Sequence, residues 1–178
     1  MTGRAVLLAL FLAGCSTPYG DVVRVDRAAV ADPLPWAFAC EFPAELQAEP
    51  RAAFGWWSDA AARELFREQP CVPAGEGIEG VLVELAKSGR ADDAFTMGFT
   101  FPAFANARVL GASVTFYPEW VNSDASTRTS AARHEIGHVL GFGHAAEPRC
   151  LMYPDAFPGE ELCPAEIDAV HALYSAVP

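Results

Sequence analysis

Downstream of residue 35 the chain divides into short runs whose apolar positions repeat with period two or near 3.6, and each run predicts one element. Residues 36–42 alternate and read as a first strand. Residues 44–61 place Leu46, Ala53, Phe54 and Trp57 at approximately helical spacing, although Pro50 and Gly55 interrupt the pattern. Residues 64–68 fit either an extension of that helix or a second strand, and the strand is preferred. Residues 78–86 read as a strand with Val81, Val83 and Leu85 on one face. Two more strands are expected at 95–101 and 110–117, stopped by Pro102 and Pro118. A polar loop at 120–129 leads into a helix over about 130–140, with Thr129 as its candidate N-cap and Gly141 and Gly143 beyond its end. The last helix begins at Pro164, a good first-turn residue, and runs to Tyr174. Strands come first and helices dominate the end, so the expected class is α+β.

Length changes this picture little: 178 residues suit one core. Charge excludes more. The formal net charge is −11, Lys87 is the single lysine, and the arginines are scattered. Phosphate-backbone binding needs clustered cations, so no nucleic-acid partner is expected.

The leader is set apart by composition. Arg4 precedes an apolar run from Ala5 to Ala13, too short to span a bilayer but suited to the core of a secretory signal. It ends in Leu12-Ala13-Gly14-Cys15, which resembles the lipobox of bacterial lipoproteins. That resemblance implies a signal peptide at 1–14, lipidation at Cys15, a tether over 15–35 and a folded domain over 36–178. The expected location is the bacterial cell envelope, on a periplasmic or cell-surface face; an ordinary cleaved signal is the alternative. With Cys15 set aside, Cys40, Cys71, Cys150 and Cys163 remain, and an exported chain pairs an even set. Three connectivities exist. Cys40–Cys71 with Cys150–Cys163 is favoured because each closes a shorter loop, and no C-x-x-C spacing supports zinc on these thiols.

Candidate chemistry concentrates at His134, Glu135, His138, Gly141 and His144, the pattern H-E-x-x-H-x-x-G-x-x-H. Residues four apart on a helix share a face, so His134 and His138 reach one ion. Gly141 permits the chain reversal that returns His144 to the same point. Three imidazoles leave the fourth position of a tetrahedral zinc to water. Glu135 is offset about 100° around the helix and faces that water as a general base. Three of the chain's four histidines fall in this one motif. His171 matches no ligand position and is expected to be a surface or packing residue. Trp36, Trp56 and Trp57 are expected in the core.

The extended motif resembles the metzincin clan of metallopeptidases, whose second signature is a methionine turn under the metal. Cys150-Leu151-Met152-Tyr153-Pro154 is similar to the matrixin form of that turn, which makes Met152 its methionine. Residues 167–174 resemble the final matrixin helix, 53–58 the end of the first helix, and Met97-Gly98-Phe99-Thr100-Phe101-Pro102 the edge strand that pairs with extended substrate. The resemblance covers about 36–176. It implies a twisted, mainly parallel sheet of about five strands with an antiparallel edge strand, and a substrate strand contributed by Gly98, Phe99 and Thr100. It implies a zinc metalloendopeptidase acting on protein or peptide substrate.

The chain also departs from the family. Phe99 and Val114 stand about where many matrixins carry histidines for a second zinc, so one zinc ion is expected; no calcium loop is apparent. The P-R-C-G-x-P-D latch is absent, and Asp21 or Asp26 is placed near a metal by nothing except proximity. Pro154-Asp155-Ala156 lacks the tyrosine usual in the specificity-pocket wall. Two other readings compete: a binding module without turnover, which Glu135 argues against, and a zinc amidase acting on cell-wall peptide. Oligomeric state leaves no trace in the sequence.

Overall fold

A computed structural model of the chain describes residues 33–73, 76–88, 96–105, 108–154 and 161–174. The signal peptide, Cys15, Asp21, Asp26, most of the tether, Phe95, Asp155 and Ala156 lie outside the described residues. One sheet contains β1 (Leu34–Phe38), β2 (Phe66–Glu68), β3 (Val81–Leu85), β4 (Gly98–Ala105) and β5 (Arg108–Phe116). Their spatial order is β2-β1-β3-β5-β4. β1 is parallel to β2 and β3, β3 is parallel to β5, and β4 alone is antiparallel to its neighbour β5. The α+β class and the mixed sheet with an antiparallel edge strand are as expected.

One face of the sheet makes the core. Trp36, Phe38, Val81, Val83, Val114 and Phe116 point to it from alternate strand positions and are buried. α1 (Ala48–Ala60) packs there: Phe54 stacks on Trp36 with ring centroids 4.1 Å apart, and Trp57 is fully buried. α2 (Pro118–Val121) contributes Trp120, stacked 4.3 Å from Phe116. α3 (Ala125–Val139) carries the histidine motif, and α4 (Pro164–Tyr174) closes the described chain. Trp36 and Trp57 are core residues as expected, Trp56 is packed at the margin of the core, and His171 is exposed. Trp120, read as the start of a polar loop, is fully buried.

Several boundaries differ from the sequence reading. β1 starts at Leu34, before the expected domain start, because Leu34 pairs with Phe66 and its amide bonds to Leu65 O at 2.8 Å. The helix expected from residue 44 opens as a 3-10 turn (Ala44–Leu46) before α1. Pro50 then lies in the first turn of α1, where the missing N–H has no intrahelical partner to lose. α3 begins at Ala125 rather than near Ser130. Asp124 is the N-cap, accepting the Thr127 amide at 2.9 Å, whereas Thr129 lies inside the helix and donates to Ala125 O at 2.8 Å.

Pro102 does not stop its strand; β4 continues to Ala105. The amide of Tyr117 donates to Met97 O at 2.9 Å, so Met97 is at a hydrogen-bonded pair with β5. Pairing alternates along an antiparallel ladder. Gly98, Thr100 and Pro102 therefore turn their backbone groups to the free edge, where a proline removes no ladder bond.

Both favoured disulfides are formed. Cys40–Cys71 ties the end of β1 to the segment after β2, and Cys150–Cys163 closes the loop before α4.

Candidate metal centre

α3 is anchored to the core before it delivers its ligands. The indole of Trp57 donates to Arg133 O at 2.8 Å, one residue before His134. At the other end, Gly141 adopts φ 89°, a left-handed conformation suited to glycine. Its amide bonds to His138 O at 3.0 Å and the Phe142 amide to Gly137 O at 3.1 Å, a Schellman closure. This reversal carries His144 back over the helix. The ligand atoms of His134, His138 and His144 all lie within 4.8 Å of one another. Their ring centroids are 4.7, 5.3 and 4.8 Å apart.

Hydrogen bonds select the nitrogen each ring presents. His134 Nδ1 lies 2.9 Å from Leu151 O and His138 Nδ1 lies 2.7 Å from Phe142 O. A carbonyl only accepts, so each Nδ1 carries the hydrogen and each Nε2 keeps its lone pair. Burial holds all three imidazoles below the usual pKa, His144 at about 4 with the neighbouring His138 as a second cause. The two bare Nε2 atoms of His134 and His138 face each other at 3.0 Å. Facing lone pairs repel unless a cation sits among them. Three neutral imidazoles are a borderline-soft donor set of the catalytic-zinc type, so the residues fit zinc.

Met152 lies beneath this cluster, buried against α3. A Cβ on Gly137 would overlap Met152 Sδ and come within 2.9 Å of Trp57 Cζ2, so only glycine admits this packing. The turn around Met152 is held on three sides. Leu151 O takes the His134 hydrogen, and Met152 O accepts the Ala145 amide at 2.8 Å, next to His144. The amides of Leu151 and Met152 donate to Glu166 at 3.1 and 2.8 Å. Glu166 is fully buried and also accepts the Cys163 amide at 2.9 Å, reaching back to the residue before α4. Glu166 was not anticipated. Its only signal in the sequence is an acidic residue in the first turn of a helix, a common surface position.

Glu135 is buried between α3 and β4. Its Oε2 accepts the Thr100 hydroxyl at 2.6 Å. A Cβ on Gly98 would lie 2.7 Å from Glu135 Cγ and 2.9 Å from Oε1, so glycine at 98 makes room for the carboxylate. Burial raises the Glu135 pKa to about 7, against the opposing pull of the Thr100 hydrogen bond. The expected substrate strand divides by this register. Gly98 and Thr100 offer backbone groups at the free edge, whereas Phe99 pairs with Thr115 inside the sheet.

Comparison with known proteins agrees with this construction. The matrixin family model matches residues 43–175. Metalloendoproteinase 1 of Glycine max is 42% identical over 52 residues, 28% of this chain and 17% of its own. Neutrophil collagenase of Homo sapiens is 34% identical over 84 residues, 43% of this chain and 18% of its own. Metalloendoproteinase 2-MMP of Arabidopsis thaliana is 29% identical over 142 residues, 71% of this chain and 36% of its own. The chain thus matches well under two thirds of the length of each of these relatives. A family match across most of the chain, on a mixed sheet that brings three histidines and a methionine turn together, means that the chain belongs to the matrixin family.

Proposed function

We propose that the chain is a zinc-dependent metalloendopeptidase in which Glu135 serves as the general base. The observation that carries this reading is the buried carboxylate of Glu135 beside three neutral histidines, at the rim of a sheet edge whose outward backbone groups at Gly98 and Thr100 pair with no strand among the described residues. Zinc held by His134, His138 and His144 would supply a Lewis acid that polarises the scissile carbonyl and acidifies water. An extended peptide pairs with the outward N–H and C=O groups of Gly98 and Thr100, as one more strand. Glu135 takes the proton of water as its oxygen bonds to the carbonyl carbon. The same proton passes to the amide nitrogen as the C–N bond breaks, leaving a carboxylic acid, which keeps the second water hydrogen, and an amine.

The test is cleavage of unfolded protein and of cell-wall peptide by the zinc-loaded wild type and by Glu135→Ala. Loss of at least about a hundredfold in kcat is expected for the variant, the scale of a positioned acid–base group. Equal rates would refute the role of Glu135, and cleavage of cell-wall peptide alone would favour the amidase reading.

We further propose that the protein is exported to the bacterial envelope and held there by a lipid on Cys15. The support is the leader Ala5–Ala13 ending in Leu12-Ala13-Gly14-Cys15; among the described residues no helix is long and apolar enough to cross a membrane. Incorporation of labelled palmitate that persists in Cys15→Ala would refute the anchor.

A further inference from the structure

The edge strand that would receive the substrate also grips the carboxylate that would act on it. Gly98 and Thr100 are alternate residues of β4, so both present the same face to α3. One makes space and the other binds: Gly98 leaves room for Glu135 Oε1, and the Thr100 hydroxyl donates to Oε2 at 2.6 Å. Thr100 is buried, with 9% of its surface exposed, and its hydroxyl also lies 3.0 Å from the backbone carbonyl of Glu135. It has one hydrogen to give. The contact to Oε2, 2.6 Å against 3.0 Å, is the stronger claim on it.

The geometry points to Thr100 as a positioning residue for the general base. It pins Glu135 Oε2 against β4 and leaves Oε1 as the oxygen that exchanges protons with water and the leaving amine. This inference rests on the proposed peptidase reading and adds to it a link between substrate docking and base orientation. The backbone groups of Thr100 meet the substrate strand while its side chain holds the base, so a seated peptide fixes the support of the carboxylate. A glutamate without that bond is left to choose among staggered rotamers, and misplacement of a reacting group by about 1 Å costs on the order of a hundredfold in rate.

The experiment compares zinc-loaded wild type, Thr100→Val and Thr100→Ser for kcat, KM, bound zinc and the crystallographic position of Glu135. Valine keeps the shape and removes the hydroxyl; serine keeps the hydroxyl. The expected result for Thr100→Val is a fall in kcat of about ten- to a hundredfold with KM changed less than about threefold and zinc still stoichiometric. Glu135 should then leave its wild-type rotamer, and Thr100→Ser should recover kcat to within about threefold of wild type. Unchanged kcat in Thr100→Val, or a valine defect that serine fails to repair, would overturn the inference. If wild type cleaves no peptide, the peptidase reading fails by itself. The crystallographic arm then decides for Thr100: a Glu135 side chain unmoved in Thr100→Val counts against it.

Discussion

Glu166 holds the amide of Met152 at 2.8 Å from a position with no exposed surface, which makes a buried carboxylate the keystone of the turn beneath the histidines. Glu166→Ala leaves three buried amides without an acceptor, each worth about 1–3 kcal/mol when unsatisfied. A loss of roughly 3–5 kcal/mol is expected, as for other broken buried polar clusters. Glu166→Gln keeps one acceptor oxygen and should fall between. Because Leu151 also orients His134, zinc affinity should drop about ten- to a hundredfold in Glu166→Ala. Urea unfolding and competitive zinc titration measure both; unaltered affinity would show that the turn does not support the ligand.

Two helical glycines should respond in opposite directions to alanine. Gly55 on α1 has open space around it, so Gly55→Ala gains helix propensity, up to about 1 kcal/mol. Gly137→Ala gains the same propensity, but its methyl must displace buried Met152 and Trp57. Overpacking of this kind costs about 1–3 kcal/mol, so the net effect is destabilising. Denaturation midpoints of the two variants test the pairing, and a stabilised Gly137→Ala would contradict the packing described.

Zinc should stabilise the fold measurably. The opposed Nε2 lone pairs of His134 and His138, 3.0 Å apart, repel in the absence of a cation. Free zinc about a thousandfold above Kd should raise the unfolding free energy by roughly 4 kcal/mol, and a chelator should reverse it. His144→Ala should remove most of that gain while leaving the zinc-free midpoint nearly unchanged. An identical thermal midpoint with and without zinc would sink the assignment of the three histidines.

The cap of α3 predicts an acid-range signature. The Ser126 hydroxyl, then the Thr127 amide and hydroxyl, hold the exposed Asp124 carboxyl down at about 2. A lowered folded-state pKa gives stability that is present above the unfolded value near 4 and is lost as pH falls toward about 2. Asp124→Asn keeps an N-cap acceptor but loses this dependence. The side-chain carboxyl followed by NMR should titrate near 2; a midpoint close to 4 would mean that the cap does not form in solution.

The parts of the fold that were legible in the sequence are those encoded by local spacing. The i, i+4 histidines, Gly141 and the order of strands and helices depend on neighbours along the chain. The pairing of cysteines follows the shorter loops, at separations of 31 and 13 residues. The failures have a common cause in partners that are distant or ambiguous. Asp124, Ser126, Thr127 and Thr129 are all competent caps, and a cluster of them reads as loop although the helix runs through it. Pro102 breaks a strand unless the strand is known to lie at an edge. Thr100 was placed on the substrate strand, but its second duty depends on Glu135, and Glu166 acquires meaning only when Leu151 and Met152 fold onto it.

Pro102 has a consequence beyond the length of its strand. A protein that captures extended chains by its sheet edge carries, by that same property, a template for joining its own copies edge to edge. Along β4 the run of complete donor–acceptor positions at the free edge begins at Gly98, includes Thr100 and is interrupted at Pro102, which has no hydrogen to donate. A short peptide needs only the open stretch. Two copies seeking a continuous intermolecular sheet meet the gap, so the strand can accept the proposed peptide substrate and still resist self-assembly.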